Sequence, residues 1–154
     1  MLVERILVAD DPKVAAYRDV RDGDLLRARG LFMAEGRLVV HRILEDPRYA
    51  VHSVVVNDAA LEDLSPTLEE HAQHLPVYLC GAAALHAIAG YDVHRGCLAL
   101  VERPAPATLP DLLREARSLV ILEGVTNADN VGGVFRNAAA FGAGGVLLSP
   151  TCCD

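Results

Sequence analysis

Four residues of the chain combine types and spacing that could do chemistry: Asn130, Gly132, Gly133 and Arg136, within the run Thr126-Asn127-Ala128-Asp129-Asn130-Val131-Gly132-Gly133-Val134-Phe135-Arg136. Asn130, Gly133 and Arg136 are spaced three apart. A helix capped by Asn130 would set them along one side of its first turns. Gly132 and Gly133 carry no side chain, so a ligand or another backbone can come close there. Arg136 adds a permanent cation with a flat fork of donors, an arrangement suited to a phosphate. It is no proton acceptor, because a guanidinium hardly deprotonates. Taken singly, an Asn cap, a Gly near a helix start and an Arg in a helix are all ordinary.

Other chemistry finds less support. His41, His52, His71, His74, His86 and His94 show no ligand or triad spacing; His71 and His74 share a helical face but lack a third ligand. Cys80, Cys97, Cys152 and Cys153 have no two-residue spacing, and adjacent cysteines cannot easily hold one metal or bridge each other. They read as reduced thiols of a cytosolic protein. No metal site is expected. Gly142-Ala143-Gly144 precedes a strand and meets Leu147 where a dinucleotide fingerprint needs glycine or alanine, which tells against a nucleotide-dependent oxidoreductase.

These residues need elements to position them. Asp11-Pro12 predicts a short helix from Pro12 to Val20, and Asp22-Gly23-Asp24 a turn. A buried strand over Leu31 to Ala34 is followed by Glu35-Gly36 and a helix from Arg37 to Glu45. The β-branched run Val51 to Val56 reads as a central strand. Ser65 is the expected cap of a helix from Pro66 to Gln73. A strand over Val77 to Cys80, a helix from Ala82 to Ala89 closed by Gly90 and a strand over Cys97 to Val101 follow. This alternation predicts an α/β fold, a sheet covered by helices. Arg103 to Pro110 holds three prolines in eight positions, a stiff connector. The expected division is therefore 1–103, a linker at 104–110, and 111–154. The last part should contain a helix over Asp111 to Ala116, a strand over Leu119 to Leu122, a helix over Asn130 to Phe141 and a strand over Val146 to Leu148. So small a strand–helix–strand unit has too few residues for a core of its own.

Composition sets further bounds. The 154 residues are 52% hydrophobic with a formal net charge of −7. Residues 1–50 carry nine Arg or Lys against nine Asp or Glu, and the remainder five against twelve. An acidic total argues against phosphate binding, but local patches can override it. Arg5, Lys13, Arg18, Arg21, Arg27, Arg29, Arg37, Arg42 and Arg48 supply the density for one, with Asp19, Asp22, Asp24 and Glu35 interleaved. Met1 to Arg5 does not read as a secretory signal. Residues 137–153 lack charge but are broken by Gly142, Gly144, Gly145 and Pro150 and fall short of the ~20 residues of a membrane helix. A soluble protein with no membrane partner is expected.

The pattern Asn130-x-Gly132-x-x-x-Arg136, closed by Phe141-Gly142, resembles the first signature motif of the SpoU (TrmH-like) branch of the SPOUT methyltransferases. The flanking Leu122-Glu123-Gly124-Val125 and Gly145-Val146-Leu147-Leu148-Ser149 also fit. Leu31 to Val39, with Glu35-Gly36-Arg37, resembles the Glu-Gly stretch of that family's amino-terminal substrate-binding domain, and Gly96 to Leu100 is like the strand that ends it. The resemblance covers nearly the whole chain.

It implies a small ribosomal-protein-like α/β domain that binds RNA, then the first β-α-β part of a knotted SPOUT methyltransferase domain. It implies transfer of a methyl group from S-adenosylmethionine to a ribose 2′-oxygen of rRNA or tRNA in the cytoplasm. Arg136 and Asn130 would be the catalytic pair, with Gly132, Gly133, Glu35 and Arg37 binding substrate, and the complete enzyme a homodimer. The family's second and third motifs, which form the donor pocket, have no counterpart before Asp154. The chain is accordingly expected to stop before the knot and to be inactive alone. The alternative is a non-catalytic RNA-binding module in which residues 1–103 do the work.

Overall fold

Three consecutive valines, Val54, Val55 and Val56, are fully buried and point alternately to the two faces of one sheet. In this computed structural model, which describes residues 2–18 and 28–153, the chain forms two compact units, Met1–Pro104 and Ala105–Asp154.

The first unit is a five-stranded mixed sheet. Its strands are β1 (Leu2–Arg5), β2 (Leu31–Glu35), β3 (Val51–Val56), β4 (Pro76–Leu79) and β5 (Cys97–Glu102), in the order β1-β4-β3-β5-β2. The run Val51–Val56 is thus the central strand, as its β-branched composition predicts. It pairs parallel with β4 and antiparallel with β5. The strand at Leu31 is longer than expected and lies at an edge, pairing only with β5 and mostly half-buried.

Helices cover both faces. A 3-10 turn (Pro12–Val14) runs into α1 (Ala15–Arg18); α2 is Arg37–Glu45, α3 Asp58–His71 and α4 Ala82–Ala89. Val40, Ile43, Ala60, Leu64 and Leu68 from α2 and α3 pack with Val54, Val56, Ala99 and Val101 on one face. Val14, Tyr17, Leu85 and Ile88 pack with Val55, Leu98 and Leu100 on the other. Each such fully buried Val or Leu contributes roughly 1.5–3 kcal/mol. The buried hydroxyls are matched: Tyr17 Oη and Ser53 Oγ are 2.7 Å apart, and Thr67 Oγ1 is 2.8 Å from His41 Nδ1.

Two helix expectations need correction. Asp11 caps the first helix by accepting the Lys13 N–H, but the helix starts as a 3-10 turn. Its expected end at Val20, and the turn at Asp22-Gly23-Asp24, lie outside the described residues. Helix α3 begins at Asp58, not Pro66. Asn57 accepts the Ala60 N–H at 2.9 Å and so opens the helix two turns early, leaving Pro66 inside it. Ser65 is no cap; its hydroxyl donates to Leu61 O at 2.7 Å. An interior proline costs roughly 3 kcal/mol, which the buried Leu64, Thr67 and Leu68 offset.

The second unit holds α5 (Leu109–Glu115), β6 (Leu119–Leu122), α6 (Ala128–Ala140) and β7 (Gly145–Leu148), with β6 and β7 paired in parallel. Helix α5 takes in the last proline of the Pro-rich segment, because Thr108 caps it and Pro110 in the first turn needs no donor partner. Among its described hydrophobic residues only Val131 and Ala138 are buried, while Ile121 is 71% and Phe141 88% exposed.

Candidate active site

Asn127, rather than Asn130, caps α6: its side chain accepts the Asn130 N–H at 3.0 Å, and its carbonyl accepts the Val131 N–H at 3.1 Å. The helix therefore starts two residues before the expected Asn130. An acid in the first turn, Asp129, is the sequence signal for the earlier start. Both Asn127 and Asn130 could have served; Asn127 wins because its acceptor sits where the first-turn amides point. Ala128 and Asp129 keep N–H groups with no acceptor among the described residues, at the positive end of the helix dipole.

Asn130, Gly132, Gly133 and Arg136 all lie on this helix. A Cβ built at Gly132 would stand 3.4 Å from Arg136 Nη1, and one at Gly133 3.9 Å from Nη2. The guanidinium thus folds back toward the helix start and lies over the two glycines, the direction in which helical side chains lean. It is exposed, and no carboxylate among the described residues pairs with it. Asp129 is seven residues before Arg136, on the same stripe of the helix, and makes no ion pair with it. The Asn130 side chain is exposed and makes no hydrogen bond among the described residues. A cation fork and a free amide beside open backbone donors can grip an anion and orient a neighbouring hydroxyl.

The loop feeding α6 is held by the segment after β7, a set of contacts that sequence reading misses. Gly124, with φ +65°, donates its N–H to Ser149 Oγ at 3.1 Å. Val125 N–H donates to Cys152 Sγ at 3.3 Å, and Cys152 Sγ donates to Leu122 O at 3.3 Å. Cys153 N–H donates to Val125 O at 3.1 Å. The Ser149 hydroxyl first, then nearby backbone amides, lowers the Cys152 thiol pKa from its ordinary value. Burial instead pushes the Cys80 and Cys97 thiols up to about 11. All four cysteines are free.

Glu35 and Arg37 lie in the first unit, and both face the 91–95 loop. Glu35 Oε2 accepts from Tyr91 Oη at 2.9 Å, and Arg37 Nε donates to Arg95 O at 3.3 Å. Other members of the basic group are engaged locally. Lys13 pairs with Glu4, Arg5 lies 4.0 Å from Asp58, and Arg18 donates to the carbonyls of Asp10 and Asp11. Arg48 forks onto Asp46 and holds that carboxyl down at about 2. Arg21, Arg27, Asp19, Asp22 and Asp24 lie outside the described residues.

Cavities open among the described residues of the first unit. One of about 810 Å³ is lined by Phe32, Arg42 and Tyr49 among others, and one of about 400 Å³ includes His52, His71 and His74. Among the described residues no cluster of His, Cys, Asp or Glu could hold a metal, and no helix is long and apolar enough to cross a membrane.

The chain is 31% identical to an uncharacterized tRNA/rRNA methyltransferase of Mycobacterium bovis, over 99% of its own length and 53% of that protein's. It is 25% identical to the 23S rRNA (adenosine(1067)-2'-O)-methyltransferase of Streptomyces azureus, over 69% of this chain and 43% of that one. Among solved structures, an AdoMet-bound rRNA methyltransferase of Sinorhizobium meliloti superposes with a TM-score of 0.76 at 20% identity, covering 99% of this chain and 56% of that one. The SpoU methyltransferase AviRb of Streptomyces viridochromogenes gives 0.71 at 19% identity, over 94% and 53%. The chain is thus similar in sequence to proteins named tRNA/rRNA methyltransferases and in fold to SpoU and TrmH-family methyltransferases. Its mixed α/β fold is the fold of the SpoU structures. It spans about half the length of the curated relatives it matches. No protein-family model matches it.

S-adenosylmethionine would need an enclosed cradle. Within residues 105–153, Ile121 of β6, Phe135 of α6 and Phe141 at the end of that helix are all exposed.

Proposed function

We propose that the chain is part of an S-adenosylmethionine-dependent enzyme that methylates a ribose 2′-oxygen of rRNA or tRNA. The observation that carries this is the exposed Arg136 guanidinium, without a carboxylate partner among the described residues and folded over Gly132 and Gly133 at the start of α6. Its fork grips the phosphate beside the target ribose and steadies charge near the hydroxyl, while the free Asn130 amide completes the hold on the ribose–phosphate unit. A methyl group added at Gly132 would stand in contact with the guanidinium, 3.4 Å from Nη1.

In this reading the first unit, about residues 1–103, is the RNA substrate-binding part, and Glu35 and Arg37 contribute to it through the loop they brace at 91–95. Residues 104–110 connect it to the methyltransferase part at 111–154. The donor is held by parts of the relatives' length that these 154 residues do not cover, so the chain alone binds RNA weakly and does not transfer methyl groups. The working enzyme is a cytoplasmic homodimer.

Mass mapping of ribose methylation in rRNA and tRNA, with and without the gene, tests the activity. One 2′-O-methylated nucleotide should disappear on deletion and return on complementation. An unchanged map would refute the proposal and favour a non-catalytic RNA-binding module.

A further inference from the structure

The loop between β6 and α6 has a demanding shape. Gly124 sits at φ +65°, and two successive amides just past β6, those of Gly124 and Val125, find side-chain acceptors rather than a ladder partner. Amides left without partners there would cost free energy and let the loop sample other shapes. In this structure every partner comes from the segment after β7. Ser149 Oγ takes the Gly124 N–H, and Cys152 Sγ takes the Val125 N–H and returns a bond to Leu122 O. Ser149 Oγ also lies 2.9 Å from Thr151 Oγ1 and 3.5 Å from Cys152 Sγ, so the two acceptors brace each other. Three residues past Gly124, Asn127 caps α6.

We infer that Ser149 and Cys152 are positioning residues: they latch the Gly124–Val125 turn and thereby fix the start of α6, which carries Asn130 and Arg136, at the carboxyl ends of β6 and β7. Both act here through the loop, on the bonds just described. The thiol suits the place because one atom both accepts from Val125 and donates to Leu122 across a strand gap. Serine can do the same with a shorter reach; alanine can do neither. That the latched helix start meets a ribose–phosphate rests on the function proposed above.

The test uses the 154-residue chain with Ser149→Ala, Cys152→Ala and Cys152→Ser, read by amide hydrogen exchange and by titration with inorganic phosphate followed at Arg136 Nε and the 128–130 amides. Ser149→Ala and Cys152→Ala should speed exchange at Gly124, Val125 and Asn130 by about tenfold or more, leaving Val120 to Leu122 and Val146 to Leu148 near wild type. Cys152→Ser should restore most of the protection, and phosphate affinity should fall and recover in parallel. Unchanged exchange at Gly124 and Val125 would overturn the inference. So would a uniform loss of protection across the unit, which would make the cluster merely structural. If wild type binds no phosphate, the ribose–phosphate reading fails while the exchange data still decide the latch.

Discussion

The distance of 3.4 Å between Arg136 Nη1 and a Cβ imagined at Gly132 sets stability against function at a single position. Alanine is favoured over glycine inside a helix by roughly 0.8–1 kcal/mol. Gly132→Ala should therefore leave the melting temperature unchanged or raised, while its methyl group, in contact with the guanidinium, narrows the space an RNA phosphate would use and weakens RNA binding. Thermal unfolding and RNA titration of the same variant check this; unimpaired binding would mean the glycine is there for another reason. Asn130, Gly132, Gly133 and Arg136 were legible in the sequence because a helix turns their spacing into adjacency. The cap was read three residues late because Asn127 and Asn130 both have the right chemistry. Ser149 and Cys152 were not legible at all: they bond to partners 25 to 30 residues away, across a strand pairing that local pattern does not reveal.

At the scale of elements, α3 depends on Asn57. The side chain caps the helix and sits so close to Gly96, which has φ +68°, that a Cβ there would fall 2.2 Å from Asn57 Nδ2. Asn57→Ala should cost about 1 kcal/mol, seen as a lower denaturant midpoint with an unchanged slope. A loss below about 0.3 kcal/mol would show that packing of Leu64 and Leu68 alone starts the helix. Strands were the most readable elements, since residues 54–56 and 97–101 are apolar on both faces, and both faces turn out to be covered. Helix ends were readable where glycine marks them, at Gly36 and Gly90. They were misread at Pro66, where burial on the flanking residues overrides a proline's local preference.

At the scale of the molecule, two units of very different self-sufficiency share one chain. The first buries a core on each face of its sheet, whereas the second buries only Val131 and Ala138 among its described hydrophobic residues. That contrast, and a chain about half as long as its curated relatives, bear on the donor. Calorimetric titration of the 154 residues with S-adenosylmethionine should show no binding in the micromolar range; micromolar affinity would place the pocket within them. The two compact units meet between Pro104 and Ala105, inside the Pro-rich segment. The side-by-side strands β6 and β7 were readable as a strand–helix–strand unit, but how far they are left uncovered became clear only from the exposed Ile121 and Phe141. The central claim is that the Arg136 guanidinium meets an RNA phosphate. Its most direct test compares wild type with Arg136→Ala in binding to pooled tRNA and rRNA fragments across a salt series. The account predicts affinity lower by about tenfold and a log–log salt slope shallower by about one; equal affinity and equal slope would contradict it.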